Sequence, residues 1–329
     1  MNILSPLGFL YGKITDARNS LYDRRVLRSH SLGARTISIG NITAGGTGKT
    51  PLVALVSEIL AGAGEKVCIL TRGYGRENER LRVLVSDGES VLADARTGGD
   101  EPVELARKLI GKAVVVADSD RVAAAAWAKD KFGITAFVLD DAFQHRRAER
   151  DVDIVCVDAT NPFGNGRLLP EGTLRESVGN LKRASAIVVT RIDLIENASP
   201  LTSELSTLNP IAPIFLASSV IADPDDSDLQ RPAFAFCGVG NPESFFQLLK
   251  RNGYALRASR RFSDHHFYTR NDVIDIEREA RNSSAQMLLT TAKDMVKLEN
   301  AEFEMPCRVV GMRIEIDSPE AFRRLVTSS

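Results

Sequence analysis

Cysteine, histidine and tryptophan are scarce in this chain of 329 residues: four Cys, four His and a single Trp. The cysteines (Cys68, Cys156, Cys237, Cys307) lie far apart, three of them inside apolar runs. That spacing excludes a zinc site or a disulfide framework and reads as reduced core thiols of a cytosolic protein. No apolar run approaches the roughly 20 residues that span a bilayer, and the N-terminal stretch lacks a signal-peptide cleavage pattern. Charge of one sign is lacking too: 42 Lys and Arg stand against 43 Asp and Glu, for a net −1. No overall basic field therefore argues for nucleic acid. The 43% hydrophobic content is that of a globular chain, and the length more often means two domains than one.

Against that background, Gly45-Gly46-Thr47-Gly48-Lys49-Thr50 stands out. It lies between an apolar run, Thr36-Ile37-Ser38-Ile39, and a helical pattern beginning near Pro51 in which Leu52, Leu55, Val56, Ile59 and Leu60 share a face. Small residues leave room for backbone N–H groups to wrap phosphate oxygens; a lysine reaches the β and γ phosphates, and a threonine hydroxyl suits Mg²⁺. This is a P-loop, with one departure: Thr43 stands where the G-x-x-x-x-G-K-[ST] pattern has its first glycine.

Further strands are expected at 66–70, 82–85, 113–117, 136–139, 154–157 and 186–189, mostly separated by helical or loop-rich segments. Near-continuous apolar strands of this kind imply a parallel sheet covered on both faces. The strand Ala136-Phe137-Val138-Leu139 runs into Asp140-Asp141, the form of a Walker B element, whose carboxylates face the crevice where a nucleotide sits. Asp100, in Thr97-Gly98-Gly99-Asp100-Glu101-Pro102, is most simply a helix N-cap. Asp120-Arg121 and Leu174-Arg175-Glu176 read first as surface charges. Thr190-Arg191-Ile192-Asp193 has the outline of the base-reading T-K-x-D element of GTPases, with Arg in place of Lys.

Residues 1–35 hold six basic side chains against two acids, a local +4 against −5 for the remainder. Ile3, Leu7, Leu10, Ile14, Ala17 and Leu21 form one apolar stripe there. Such a helix suits an anionic membrane surface, and it equally suits packing on its own domain or on a partner. Residues 199–228 are rich in Pro, Ser and Asp and read as a connection with little core of its own. A second α/β pattern follows: a strand at 233–237, a helix through Leu249, and strands at 287–289 and 308–316. It contains Ser263-Asp264-His265-His266, where adjacent histidines point different ways, so that one at most shares a site with a carboxylate; the plain alternative is a loop leading into a capping box at Thr269–Asp272.

In chain order, several of these pieces match one pattern: Gly40-Asn41-Ile42-Thr43 through Pro51, Arg72-Gly73-Tyr74-Gly75, Gly98-Gly99-Asp100-Glu101-Pro102 and Asp140-Asp141-Ala142-Phe143-Gln144-His145. Leu168-Leu169-Pro170 with Leu174-Arg175-Glu176, Phe262-Ser263-Asp264-His265-His266 and Thr291-Ala292-Lys293-Asp294 continue it. Together they resemble the tetraacyldisaccharide 4′-kinases of lipid A biosynthesis, whose own P-loop also lacks the first glycine. Ala142 replaces an expected glycine and Ala292 an expected acid, which leaves the role of the 291–294 loop open.

The resemblance implies transfer of the ATP γ-phosphate to the 4′-hydroxyl of a membrane-embedded, acylated glucosamine disaccharide 1-phosphate. By it, Thr43, Ala44, Gly45, Gly46, Thr47, Gly48, Lys49 and Thr50 cradle ATP, joined by Arg121, Asp140, Gln144 and Arg175. Thr50, Asp141 and Glu176 hold Mg²⁺ directly or through water, and Asp100 accepts the sugar proton with His265 orienting or polarising it. The expected fold is α/β, a P-loop NTPase-like parallel sheet covered by helices with a second, smaller α/β domain. Its expected divisions are a membrane-surface helix at 1–30, a kinase domain with connecting segment at 31–228, and a smaller domain at 229–329 that closes on the cleft. The implied partners are the lipid substrate and an anionic membrane surface, with no obligate protein partner. The implied location is peripheral, on the cytoplasmic face of the bacterial inner membrane. Two other classes use the same loop: a P-loop GTPase or metallochaperone-type switch, and a membrane-bound nucleotide-binding module without catalysis.

Overall fold

The computed structural model describes residues 5–328 except 223, 225 and 300. Its strands are β1 (Arg35–Gly40), β2 (Val67–Thr71), β3 (Val83–Ser86), β4 (Ala113–Ala117), β5 (Ala136–Asp140), β6 (Val152–Asp158), β7 (Ala186–Thr190) and β8 (Ile214–Ile221). Later in the chain come β9 (Ala233–Cys237), β10 (Leu256–Arg261), β11 (Met287–Thr291), β12 (Cys307–Val310) and β13 (Met312–Ile316). Nine of them form one sheet in the order β13-β8-β7-β6-β1-β5-β2-β4-β3, and four form a second, β10-β9-β11-β12. Within the large sheet only the edge strands β13 and β3 pair antiparallel. The parallel α/β architecture and the separate smaller sheet are those expected from the strand pattern.

Alternation along the central strands explains the covering helices. Ile37, Ile39, Ile69, Val115 and Val138 face one side, packing on Leu52, Val53, Val56 and Leu60 of the P-loop helix Lys49–Gly62. Cys68, Leu70, Val116, Phe137 and Leu139 face the other, against Ala124, Ala125 and Ala128 of the helix Arg121–Phe132. A strand buried on both faces needs apolar residues at every position, which is why these strands read as continuous runs. β1 lies between β5 and β6, so the loop after β1 and the carboxylates at the end of β5 emerge side by side, with Ile39 in register with Asp140.

The structure departs from the sequence reading in three places. Residues 199–228 are more than a connection: they supply the helix Ser199–Leu208 and β8, whose Phe215 and Ala217 are buried in the main core. The single strand expected at 308–316 is two strands in different sheets, separated at Gly311. Residues from 312 onward consequently leave the small domain: β13 pairs with β8, and Phe322 and Val326 of the helix Pro319–Thr327 join the core beneath the P-loop helix. The chain thus enters and leaves the small domain along one antiparallel pair.

The first helix spans Ser5–Asp23. Ile3 of the expected stripe lies outside the described residues. Leu7, Leu10, Ile14, Ala17 and Leu21 all face solvent, while Gly8, Gly12 and Asn19 are buried on the opposite side. That face docks through small and polar contacts: a Cβ on Gly12 would lie 2.6 Å from Leu168 Cδ1. The stripe therefore does not pack on its own domain.

Candidate active site

The loop after β1 is held open by backbone pairing. The Arg175 N–H donates to the Ile42 carbonyl at 2.7 Å and the Ala44 N–H to the Thr173 carbonyl at 2.6 Å. Thr43 bridges Leu174 in the same ladder, an extended conformation that does not call for the missing glycine. Asn41 donates to the Thr43 carbonyl at 2.7 Å and to Thr47 Oγ1 at 2.9 Å, and the Thr190 hydroxyl donates to the Thr47 carbonyl at 2.9 Å. Glycine is required at three points: Gly45 has φ +110°, Gly48 has φ +80°, and a Cβ on Gly40 would stand 2.6 Å from the Phe143 nitrogen.

Lys49 and Thr50 open the P-loop helix beside the end of β5. Lys49 Nζ lies 3.4 Å from Asp141 Oδ1, and Arg175 contacts both Asp141 oxygens at 2.8 Å. Burial works against ionisation of Asp141, yet Lys49 and Arg175 outweigh it and hold the carboxyl below its usual range. Asp140 has no such partner. Burial, with the charges of Glu101 and Asp141, pushes it up to about 6. The Thr71 hydroxyl donates to its Oδ2 at 2.9 Å, whereas Oδ1 is buried without a partner. Arg121 is buried near both aspartates; its guanidinium donates to the Asp118 and Ser119 carbonyls, and its Nε is unpartnered.

Gln144 and Glu176 form a brace behind this pocket. Gln144 Nε2 donates to the Asn41 carbonyl at 2.8 Å and to Glu176 Oε1 at 2.7 Å. Glu176 also accepts from Asn19 at 3.1 Å and from Arg183 at 3.1 Å. Among the described residues no cluster of three His, Cys, Asp or Glu is arranged to hold a metal. Mg²⁺ in phosphate sites needs less, one or two protein oxygens besides water and phosphate. Thr50, at the start of the P-loop helix, and Asp141, just past β5, can supply such oxygens, while Glu176 is taken up by Gln144, Asn19 and Arg183.

The second cluster joins the two sheets. Asp100 is the first residue of the helix Asp100–Lys108, capped by Gly99 rather than by its own side chain. Its buried carboxylate accepts the Glu101 N–H at 2.9 Å and faces His265 Nδ1, 2.9 Å from Oδ2. His265 sits at φ +59° in the loop after β10, and Tyr74 packs edge-on against its ring, 5.5 Å between centroids. The hydrogen bond His265 makes to the Asp100 carboxylate raises the imidazole above its ordinary value against the effect of burial. Burial likewise opposes the Asp100 charge, but His265, Lys293 and Lys297 hold the carboxyl below its usual range. The neighbouring His266 serves structure, with Nε2 3.2 Å from Asp272 beside the expected capping box.

Sequence reasoning named Lys293 only within a motif of open role and missed Lys297. Lys293 bridges Glu101 at 2.9 Å and Asp264 at 3.2 Å, so the open role of the 291–294 loop is to tie the small domain to the helix that carries Asp100. Asn19 was also passed over, since its link to Glu176 spans 157 residues and has no local signature. The Thr190–Asp193 stretch does not present a base reader. Arg191 pairs with Asp158, and Asp193 accepts from Arg251 at 2.7 Å and from the Ser219 N–H at 3.2 Å.

A phosphate-cradling loop after β1, paired carboxylates after β5 and an Asp–His pair across the cleft define a P-loop phosphotransferase. Comparison with known proteins specifies it further. The family model described as LpxK, tetraacyldisaccharide-1-P 4′-kinase, matches residues 1–329, and the chain belongs to this family. It is similar to the tetraacyldisaccharide 4′-kinase of Desulfotalea psychrophila, at 36% identity over 310 residues that cover 92% of this chain and 89% of that one. To the enzyme of the same name from Chlorobium phaeovibrioides it is 40% identical over 311 residues, 90% of this chain and 86% of the other. The crystal structure of LpxK from Aquifex aeolicus in complex with ATP superposes with a TM-score of 0.78 at 29% identity, covering 98% of this chain and 97% of that one.

Proposed function

We propose that the phosphate pocket and the Asp100–His265 pair carry out the family's reaction on this chain. The γ-phosphate of ATP passes to the 4′-hydroxyl of a tetraacylated glucosamine disaccharide 1-phosphate, a step of lipid A biosynthesis. The observation that carries the reading is the meeting of Asp100 and His265, 165 residues apart, at hydrogen-bond distance where the two domains face each other. A structural cap would need no histidine from the opposite domain.

Phosphoryl transfer asks mainly for positioning and charge neutralisation. The backbone N–H groups of residues 45–50 receive the phosphates, with Thr43 and Ala44 shaping the loop; Lys49, Arg121 and Arg175 steady their charge. Asp140 and Gln144 shape the ATP pocket from behind. Thr50 and Asp141 would hold Mg²⁺, with Glu176 reaching it through water; when bound, the ion would supply positive charge to the phosphates. Asp100 takes the proton of the sugar hydroxyl as the new O–P bond forms and the bond to ADP breaks. His265, donating through Nδ1, fixes the carboxylate for that transfer.

No helix among the described residues is long and apolar enough to cross a membrane. The solvent-facing stripe of the first helix, flanked by Lys13, Arg18, Arg24, Arg25 and Arg28, supports peripheral binding to an anionic surface. A lipid acceptor whose acyl chains stay in the bilayer supports a peripheral location, which we assign to the cytoplasmic face of the inner membrane, where ATP is available. The test is a panel of ATP and GTP with and without the lipid disaccharide. ADP release that requires the acceptor and favours ATP is expected; acceptor-independent GTP hydrolysis would overturn the reading in favour of a switch protein.

A further inference from the structure

Lys297 is a lysine sealed from water. Its side chain is 0% exposed, and its ammonium makes no hydrogen bond. Two carboxylates stand close by, Asp294 Oδ1 at 3.4 Å and Asp100 Oδ2 at 3.6 Å, with the Tyr268 ring 5.7 Å away. Asp294 does not need this cation, for it already accepts the Gly238 N–H at 3.0 Å, the Tyr268 hydroxyl at 2.9 Å and the Thr291 hydroxyl at 2.6 Å. An enclosed ammonium is costly unless an opposite charge compensates it; Asp100, which accepts the Glu101 N–H and faces His265 with Lys293 3.9 Å away, is the second carboxylate that does so.

The segment carrying Lys297 is anchored in both domains. Val296 belongs to the core of the large sheet, and Leu298 to the core of the small one. Lys297 therefore cannot swing away from Asp100 without disturbing both cores. Four carboxylates (Asp100, Glu101, Asp264, Asp294) gather here around two ammoniums, Lys293 and Lys297. Glu104 adds acidic character from the Asp100 helix, His265 faces Asp100 from the loop after β10, and Tyr74 closes the side of His265. Cys237 and Tyr268 flank Asp294.

We propose that Lys297 is a positioning residue for phosphoryl transfer, its enclosed charge keeping Asp100 ionised and aimed until the hydroxyl proton arrives. The proposal rests on the reading of Asp100 as the proton acceptor. Loss of the cation makes protonation of both Asp100 and His265 easier, so the acid limb of the rate profile moves to higher pH.

The test compares Lys297→Met and Lys297→Gln with wild type. Each should raise the His265 imidazole titration, followed by NMR in a protein with only four histidines, by about one pH unit. Each should also move the acid limb of kcat upward by a similar amount, with up to about tenfold loss below it, little change on the alkaline plateau and an unchanged ATP KM. In a chain with every lysine in place, Asp100→Asn should shift the Lys297 Nζ resonance in ¹⁵N NMR. An unmoved His265 titration together with an unmoved Lys297 resonance would overturn the proposal. A wild-type kcat in Asp100→Asn would instead overturn the acceptor assignment, leaving the NMR shifts to decide whether the two charges interact.

Discussion

Replacing Leu7, Leu10 and Ile14 together with Ser isolates the membrane contact, because these side chains are 50%, 55% and 59% exposed in the folded protein. Complete burial of a Leu or Ile is worth about 1.5–3 kcal/mol, so the exposed half of each can contribute roughly 1 kcal/mol at an acyl boundary. Three such losses sum to about 3 kcal/mol, on the order of a 100-fold weaker partition onto vesicles. The melting temperature should hardly move, since the wild-type side chains already face water. Sedimentation with anionic vesicles measures the first quantity and thermal unfolding the second, with activity on the acylated acceptor falling while ATP binding is retained. Gly12→Val is the opposing control: its Cβ collides with Leu168 on the docked face, so it should lower stability without removing the exposed stripe. Wild-type vesicle binding by the triple variant would refute the reasoning, as would a large drop in its melting temperature.

Lys49→Ala should abolish transfer yet leave a folded protein, because Lys49 points at Asp141 and the phosphate site rather than into the apolar face of its helix; full activity in the folded variant would count against the kinase chemistry. Asp100→Ala and His265→Ala should each lower kcat far more than they raise the ATP KM, and the double variant should lose less than the sum in free energy, as a unit that works together does. Burial pushes Glu104 up to about 7, above its unfolded value, so its contribution to stability is fully present below about pH 4.3 and is lost as pH rises toward 7. Glu104→Gln should accordingly melt higher than wild type at pH 8 and not at pH 4; equal melting temperatures at pH 8 would show that the carboxyl ionises without penalty.

The central sheet was legible because its strands are buried on both faces and separated by helices, which leaves continuous apolar runs such as Ala113–Ala117. The P-loop was legible because phosphate geometry demands a particular run of small residues before Lys49. Destination was harder to read than conformation. Arg308–Ile316 is extended as expected, but a single Gly311 sends its halves into different sheets, and hydrophobic pattern alone does not say which sheet a strand joins. Asp100 shows the same limit at the site: its local context resembles a cap, and its burial against His265 exists only through the second domain. Lys297 was missed, and Lys293 left without a role, for the converse reason, since a lysine in sequence reads as solvated until its carboxylates are seen around it.

The first helix joins these two halves of the function physically. Its outward face is the exposed stripe, while its inward face reaches the phosphate site directly. The Tyr11 hydroxyl donates to the Arg175 carbonyl at 3.0 Å, Arg18 to the Gln144 carbonyl at 3.0 Å, and Asn19 to Glu176 at 3.1 Å. Residues 173–175 are in turn paired by backbone hydrogen bonds to residues 42–44 of the P-loop, and the Arg175 side chain clamps Asp141. From the exposed stripe proposed to meet lipid to the loop proposed to receive phosphate there is thus a continuous series of hydrogen bonds. A lipid acceptor cannot be carried into the interior by diffusion, so the donor pocket must be held at a fixed height above the bilayer. On the proposed reading the helix would serve at once as surface contact and as a wall of the phosphate site, in keeping with a buried face of glycine and asparagine and apolar residues left outside.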